Sequence, residues 1–196
     1  MTRLIIGLCG RTGSGKSTVG EYYRSLGINY IDTDKISREV TSPGSVCLNE
    51  LAARFGKDIL NEDGSLNRPL LASRAMNDEE GYASLNAITH KHIIARTKEL
   101  IGGDITVIDA PLLFESGLDS VCDEVIGVVS PDETCIRRVR KRDGISEEAA
   151  RARLARQKSN EFLYEHCGYI IENSSTRRAL ISRARAALEQ IKENHS

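Results

Sequence analysis

The stretch "GRTGSGKST", Gly10 to Thr18, follows directly on the apolar run "LIIGLC" and leads into Val19, Tyr22, Tyr23 and Leu26 at helical spacing. A glycine-rich turn between an apolar strand and a helix leaves few architectures open. The strand belongs inside a sheet and the helix packs back over it, which begins a parallel α/β layer structure. Gly27 stands where that helix should stop. The turn itself satisfies G-x-x-x-x-G-K-[ST]. Its glycines let successive backbone N–H groups curl around an anion, and the free N–H groups and dipole of the following helix point to the same place. The pattern predicts a seat for a nucleoside triphosphate. Gly13, Ser14, Gly15, Lys16, Ser17 and Thr18 are its expected ATP-binding residues, with Lys16 on the outer phosphates and the Ser17 hydroxyl on Mg2+.

Four further runs, "INYI", "ITVID", "EVIGVV" and "YIIE", alternate with helical patterns, so a five-stranded parallel sheet covered by crossover helices is expected. The last helix is expected to bury Leu180, Ile181, Ala184, Leu188 and Ile191. A mostly helical region from Lys35 to Gly102, with turn signals at "SPGS" and "EDGSLNRP", is too long for a simple crossover. A second insertion, Asp132 to Cys167, is dense in arginine. These runs predict one domain with its core at about 1–34, 103–131 and 168–196, a helical substrate-binding region at about 35–102 and a lid at about 132–167.

A formal net charge of -1 and a pI near 6.4 give no global attraction to nucleic acid or anionic membrane. Leu4 to Cys9 is too short for a signal-peptide core, and no run approaches the length of a membrane span. Five cysteines, an odd number without CxxC or Cys/His ligand spacing, argue against a disulfide framework and a zinc site. They read as small packing residues in a reducing cytoplasm.

The second run ends in "YIDTDKI", and ligands of α/β sheets bind beyond the carboxyl ends of strands. Asp32 and Asp34 lie two apart, so an extended backbone directs both to one side. A carboxylate there is suited to accept the proton of an attacking hydroxyl. The competing reading is that Asp34 caps the helix beginning at Lys35. "VIDAPLLFESG" places Asp109 at a strand end, where its carboxylate would orient magnesium. From Arg137 to Lys158 there are nine basic residues against three acidic ones. Arg138 and Arg142 are one turn apart, as are Arg153 and Gln157, so an arginine lid over the triphosphate is expected. His90 and His92, two apart in a helix, do not share a face for a metal. Arg177, Arg178, Arg183 and Arg185 fit the polar face of the last helix.

Together these residues resemble one family, dephospho-coenzyme A kinase, a relative of the nucleoside monophosphate kinases. The resemblance spans nearly the whole chain. It rests on "GSGKST", "IDTDKISREV" at Ile31 to Val40, "LNR" at Leu66 to Arg68, "PLLFESGL" at Pro111 to Leu118, the spaced Arg138 and Arg142, "SEEAARARLARQ" at Ser146 to Gln157, and Asn173. It implies a P-loop three-layer α/β sandwich and ATP-dependent phosphorylation of the ribose 3'-hydroxyl of dephospho-CoA. Asp34 matches the general base and Arg142 a lid arginine, so Asp34, Lys16 and Arg142 are the expected catalytic residues. Arg138 and Asn173 join the ATP site, Ser17 and Asp109 the metal site, and Asp32, Arg68, His90, Leu113 and Glu115 the substrate site. The expected protein is monomeric or weakly self-associating. The chain departs from the family at Cys9, Arg11 and Thr12, where Thr, Gly and Ile are usual, and Arg11 could add a phosphate contact. Another small-metabolite or nucleotide kinase is the alternative within enzymes. A nucleotide-dependent switch is the alternative outside them, although no N-K-x-D guanine motif occurs.

Overall fold

The computed structural model describes residues 3–195. All five apolar runs are strands: β1 (Leu4–Cys9), β2 (Asn29–Asp32), β3 (Ile105–Asp109), β4 (Glu124–Val129) and β5 (Tyr169–Glu172). They form a single parallel sheet in the order β2-β3-β1-β4-β5, with Leu8 opposite Asp109 and Cys9 opposite Gly127. The first strand is therefore central. Its phosphate-loop motif emerges between the carboxyl ends of β3 and β4, where ligands of open α/β sheets bind.

The helices are α1 (Lys16–Ser25), α2 (Thr33–Val40), α3 (Val46–Phe55), α4 (Arg68–Ala75), α5 (Glu79–Leu100), α6 (Asp132–Asp143), α7 (Glu147–Ala155), α8 (Asn160–His166) and α9 (Arg177–Asn194). Two compact units result, Met1–Ile31 with Ile101–Ser196, and Asp32–Leu100. The stretch 132–167 falls in the first.

In the first unit, Ile6, Leu8, Val107, Ile126, Val128 and Ile171 are wholly buried, as expected of strands covered on both faces. Val19 and Tyr23 of α1 join them, and the buried Tyr23 hydroxyl donates to the Ala184 carbonyl at 2.9 Å. One residue expected on a helix and one expected in the core fall elsewhere. Leu26 lies past the end of α1 and is 49% exposed. On α9 the buried stripe is Leu180, Ala184, Ala187, Leu188 and Ile191, and Ile181 is only half-buried because it falls off that face. The second unit has its own core of Cys47, Leu51, Phe55, Ile59, Leu71 and Ala75. Ser45 and Asn67 cap α3 and α4, and Pro69 sits in the first turn of α4, so local sequence starts both helices.

Candidate active site

The loop between β1 and α1 has the backbone of an anion cradle. Gly13 and Gly15 have φ of 82° and 102°, open to glycine and strained for other residues. A Cβ at Gly15 would stand 2.3 Å from Asn173 Nδ2, and one at Gly13 would stand 2.7 Å from the Cys135 carbonyl oxygen. The loop is held from outside. Arg138 donates to the Gly13 carbonyl at 3.0 Å and Asn173 to the Ser14 carbonyl at 2.8 Å. Across a trans peptide the Gly15 N–H points opposite the Ser14 carbonyl, so this tie turns the N–H toward the inside of the loop. No side chain caps α1, and Ser17 is exposed in its first turn. The orphan N–H groups and the positive end of the helix dipole are left for a ligand.

Lys16 forms an ion pair with Asp109 at the end of β3, both side chains about 15% exposed. Tyr30 of β2 donates to the other oxygen of Asp109 at 2.6 Å. The cradle, the nearby ammonium and the Ser17 hydroxyl suit a triphosphate. A hydroxyl and a carboxylate are a fitting protein share for Mg2+, which keeps waters and takes phosphate oxygens. Among the described residues no group of three or more His, Cys, Asp or Glu side chains could hold a metal alone.

Arg11 does something the sequence reading did not foresee. Rather than facing an anion, it is 8% exposed, pairs with Asp132 at the start of α6 and donates to the Leu154 carbonyl of α7 at 3.1 Å. The Thr12 N–H donates to Gln157 Oε1 at 2.9 Å. Arg11 and Thr12 thus fasten the loop to the arginine-rich segment. Of the two spaced arginines, Arg138 reaches the loop. Arg142, 61% exposed, instead makes a two-pronged pair with Asp143, which also takes Arg153 at 2.5 Å.

A cavity of about 220 Å3 beside the loop is lined by Thr18, Arg138, Asn173, Ser175, Arg177 and Leu180. Arg177, read in the sequence as surface, is one of its walls. A second cavity is lined by Cys9, Gly10, Leu113, Phe114, Glu115 and Leu163. Leu113 is wholly buried, packed where a Cβ on Gly7 would meet it at 2.8 Å, whereas Glu115 is exposed.

The second unit separates the paired aspartates. The backbone does not stay extended through them: α2 begins at Thr33, and the cap is Asp32, whose Oδ1 accepts the N–H groups of Asp34 and Lys35 at 3.1 and 3.2 Å. The expected alternative role of Asp34 as cap is therefore corrected, and so is the extended backbone through the two aspartates. Asp34 lies in the first helical turn. Arg68 opens α4 and donates to Thr41 Oγ1 at 2.8 Å. His90 is half-buried on α5, and His92 meets Glu50 at 3.2 Å.

Comparison with known proteins decides among the kinases. The model of the dephospho-CoA kinase family matches residues 4–178. The chain belongs to this family. It is 42% identical over 187 residues to the dephospho-CoA kinase of Corynebacterium diphtheriae, covering 92% of this chain and 94% of that protein. To the dephospho-CoA kinase of Thermobifida fusca it is 40% identical over 192 residues, with 96% of each covered. Among solved structures, the Thermus thermophilus protein TT1252 superposes with a TM-score of 0.83 at 27% identity, covering 97% of this chain and 98% of the other. Dephospho-CoA kinase from Campylobacter jejuni gives 0.73 at 26% identity over the whole of both chains. A shikimate kinase from Acinetobacter baumannii, 17% identical with a TM-score of 0.56, shares the fold. The P-loop kinase architecture expected of the sequence is therefore the one present.

Proposed function

We propose that the protein transfers the γ-phosphoryl group of ATP to the ribose 3'-hydroxyl of dephospho-CoA, giving coenzyme A and ADP. The observation that carries this reading is an intact phosphate cradle in a chain of this family. The Gly13–Thr18 segment holds the β- and γ-phosphates, and Lys16 exchanges Asp109 for their oxygens. Ser17 and Asp109 hold Mg2+, which when bound neutralises charge on the phosphates. The cavity beside Thr18 and Arg177 takes the adenosine of ATP, and Asn173 serves it by bracing the loop. We assign substrate contacts to Leu113 and Glu115 of the first unit and to Asp32, Arg68 and His90 of the second.

Asp34 is the group we assign to the acceptor hydroxyl. As the 3'-oxygen bonds to the γ-phosphorus and the bond to the β–γ bridging oxygen breaks, the hydroxyl proton passes to the Asp34 carboxylate. Arg142 reaches the transferring group after leaving Asp143, which gives the lid its closing step. Five unbridged cysteines are consistent with a reducing cytoplasm, where we place the enzyme. Among the described residues no helix is long and apolar enough to cross a membrane.

The test is a magnesium-ATP assay with dephospho-CoA, adenosine, AMP and dCMP in parallel, each product identified by mass. Dephospho-CoA alone should be phosphorylated efficiently. Phosphorylation of AMP or dCMP with dephospho-CoA inert would overturn the reading.

A further inference from the structure

Cys9 and Cys167 are 158 positions apart in sequence, yet their Sγ atoms stand 3.7 Å apart. The meeting point is Gly127 of β4, which pairs with Cys9 of β1 on one side and Ile170 of β5 on the other. A Cβ on Gly127 would lie 2.8 Å from Cys167 Sγ, so the missing side chain is what leaves room for the sulfurs. Cys9 is buried and ends the strand that feeds the phosphate loop. Cys167 is half-buried, caps the carboxyl end of α8 and is followed by Gly168.

The two thiols are chemically unequal. The contact between the two sulfurs holds the Cys167 thiol below its usual range, while that contact and burial push the Cys9 thiol up. Cys167 is both the more acidic and the more accessible, as an attacking thiol must be. Cys47, Cys122 and Cys135 are each shifted upward, first by burial, Cys122 to about 12.

We propose that Cys9 and Cys167 are a peroxide-reactive dithiol whose closure to a disulfide restrains the segment between α8 and β5 and slows phosphoryl transfer. The Cys167 thiolate attacks one oxygen of a hydroperoxide. The O–O bond breaks, the sulfur becomes a sulfenic acid, and the other oxygen leaves as water or an alcohol after protonation. The Cys9 sulfur then attacks the sulfenic sulfur: the S–S bond forms, the S–O bond breaks, and the hydroxide leaves with the Cys9 proton as water. Two thiols are oxidised and one peroxide is reduced. A small cytosolic thiol reverses the step by exchange.

Closure brings the sulfurs from 3.7 Å to about 2.05 Å. β1 is fixed between β3 and β4, so the movement falls on Cys167 and α8. Leu163 of that helix lines the same cavity as Cys9, Leu113 and Glu115. The effect on turnover rests on the kinase reading above, whereas formation of the bond does not.

The intact protein is treated with hydrogen peroxide, alkylated and measured by intact mass and non-reducing peptide mapping, with turnover of dephospho-CoA followed in parallel. The expected result is loss of two hydrogens, a Cys9–Cys167 peptide, and a tenfold to hundredfold drop in turnover, about the scale of a 1 Å misplacement, restored by dithiothreitol. Cys167→Ser should keep basal turnover and lose both the crosslink and the reversible drop, whereas Cys122→Ser should behave as the parent. Absence of the Cys9–Cys167 peptide, or an equal reversible drop in Cys167→Ser, would overturn the dithiol. A crosslink with unchanged turnover would overturn the restraint. A crosslink in a protein inert toward dephospho-CoA would sink the kinase reading and uphold the dithiol.

Discussion

Asp32 and Asp34 flank one threonine, and the helix that starts between them gives them different environments. Asp32 spends one oxygen on two N–H groups of α2, so Asp32→Ala should cost about 1 kcal/mol of stability, measured by urea unfolding, while Asp32→Asn should keep the cap. Asp34→Asn removes the proposed base without touching that cap. Turnover should fall about a hundredfold to ten-thousandfold while calorimetry shows nearly unchanged binding of dephospho-CoA and of a non-hydrolysable ATP analogue. Normal turnover in Asp34→Asn beside an inactive Asp32→Asn would reassign the base. Lys16 is a separate case, because its ion pair with Asp109 is compact and little exposed. Lys16→Ala should lower turnover about a hundredfold or more through lost transition-state electrostatics. Circular dichroism should show the fold retained, and parent-like turnover would remove the loop from catalysis. Tyr30 remains beside Asp109 to take up part of its hydrogen-bonding capacity.

At the scale of elements, the joint of α6 and α7 is organised by Asp143. Arg142 and then Arg153 hold its carboxyl down to about 2. Because that value is depressed, the contribution to the joint is complete above the usual carboxylate range and is lost as pH falls from about 4 to about 2. The groups are solvent-facing, so the effect belongs to local order of the lid rather than to global stability. An NMR titration should place the Asp143 midpoint near 2 and move it upward in Arg142→Gln; an unmoved midpoint would remove Arg142 as its partner. If Arg142 must then grip the transferring group, Arg142→Lys should impair turnover, since an ammonium cannot reproduce a two-pronged contact. Spacing made Arg138 and Arg142 look like equals. The helix they share turns one onto the phosphate loop and leaves the other at the helix end, a difference set by what packs beside α6.

For the whole molecule, a ligand that binds only the folded state stabilises it by mass action. ADP at a hundred times its Kd should add about 2.7 kcal/mol, or about 5–10 °C in Tm for a chain of this size. The chain has no Trp, so calorimetry is the suitable readout. Lys16→Ala should lose most of the shift; an equal shift in both proteins would place ADP elsewhere. The near-neutral net charge means the anion must be drawn by the local array of N–H groups, Lys16 and Arg138, and the shift should therefore weaken with salt only modestly at such partly buried contacts.

The five strands, most of the helices and the phosphate loop were legible in the sequence because each is a local matter. Periodicity of two or 3.6 marks an element, and the cradle is built from nine consecutive residues around glycines that permit its turns. The family was legible for the same reason, through short contiguous motifs. What local pattern does not carry is which elements the sheet order sets side by side. That order put Arg11 against α6 and α7 instead of an anion. It also brought Cys9 and Cys167 together over a glycine, a neighbourhood that exists only because β4 lies between β1 and β5.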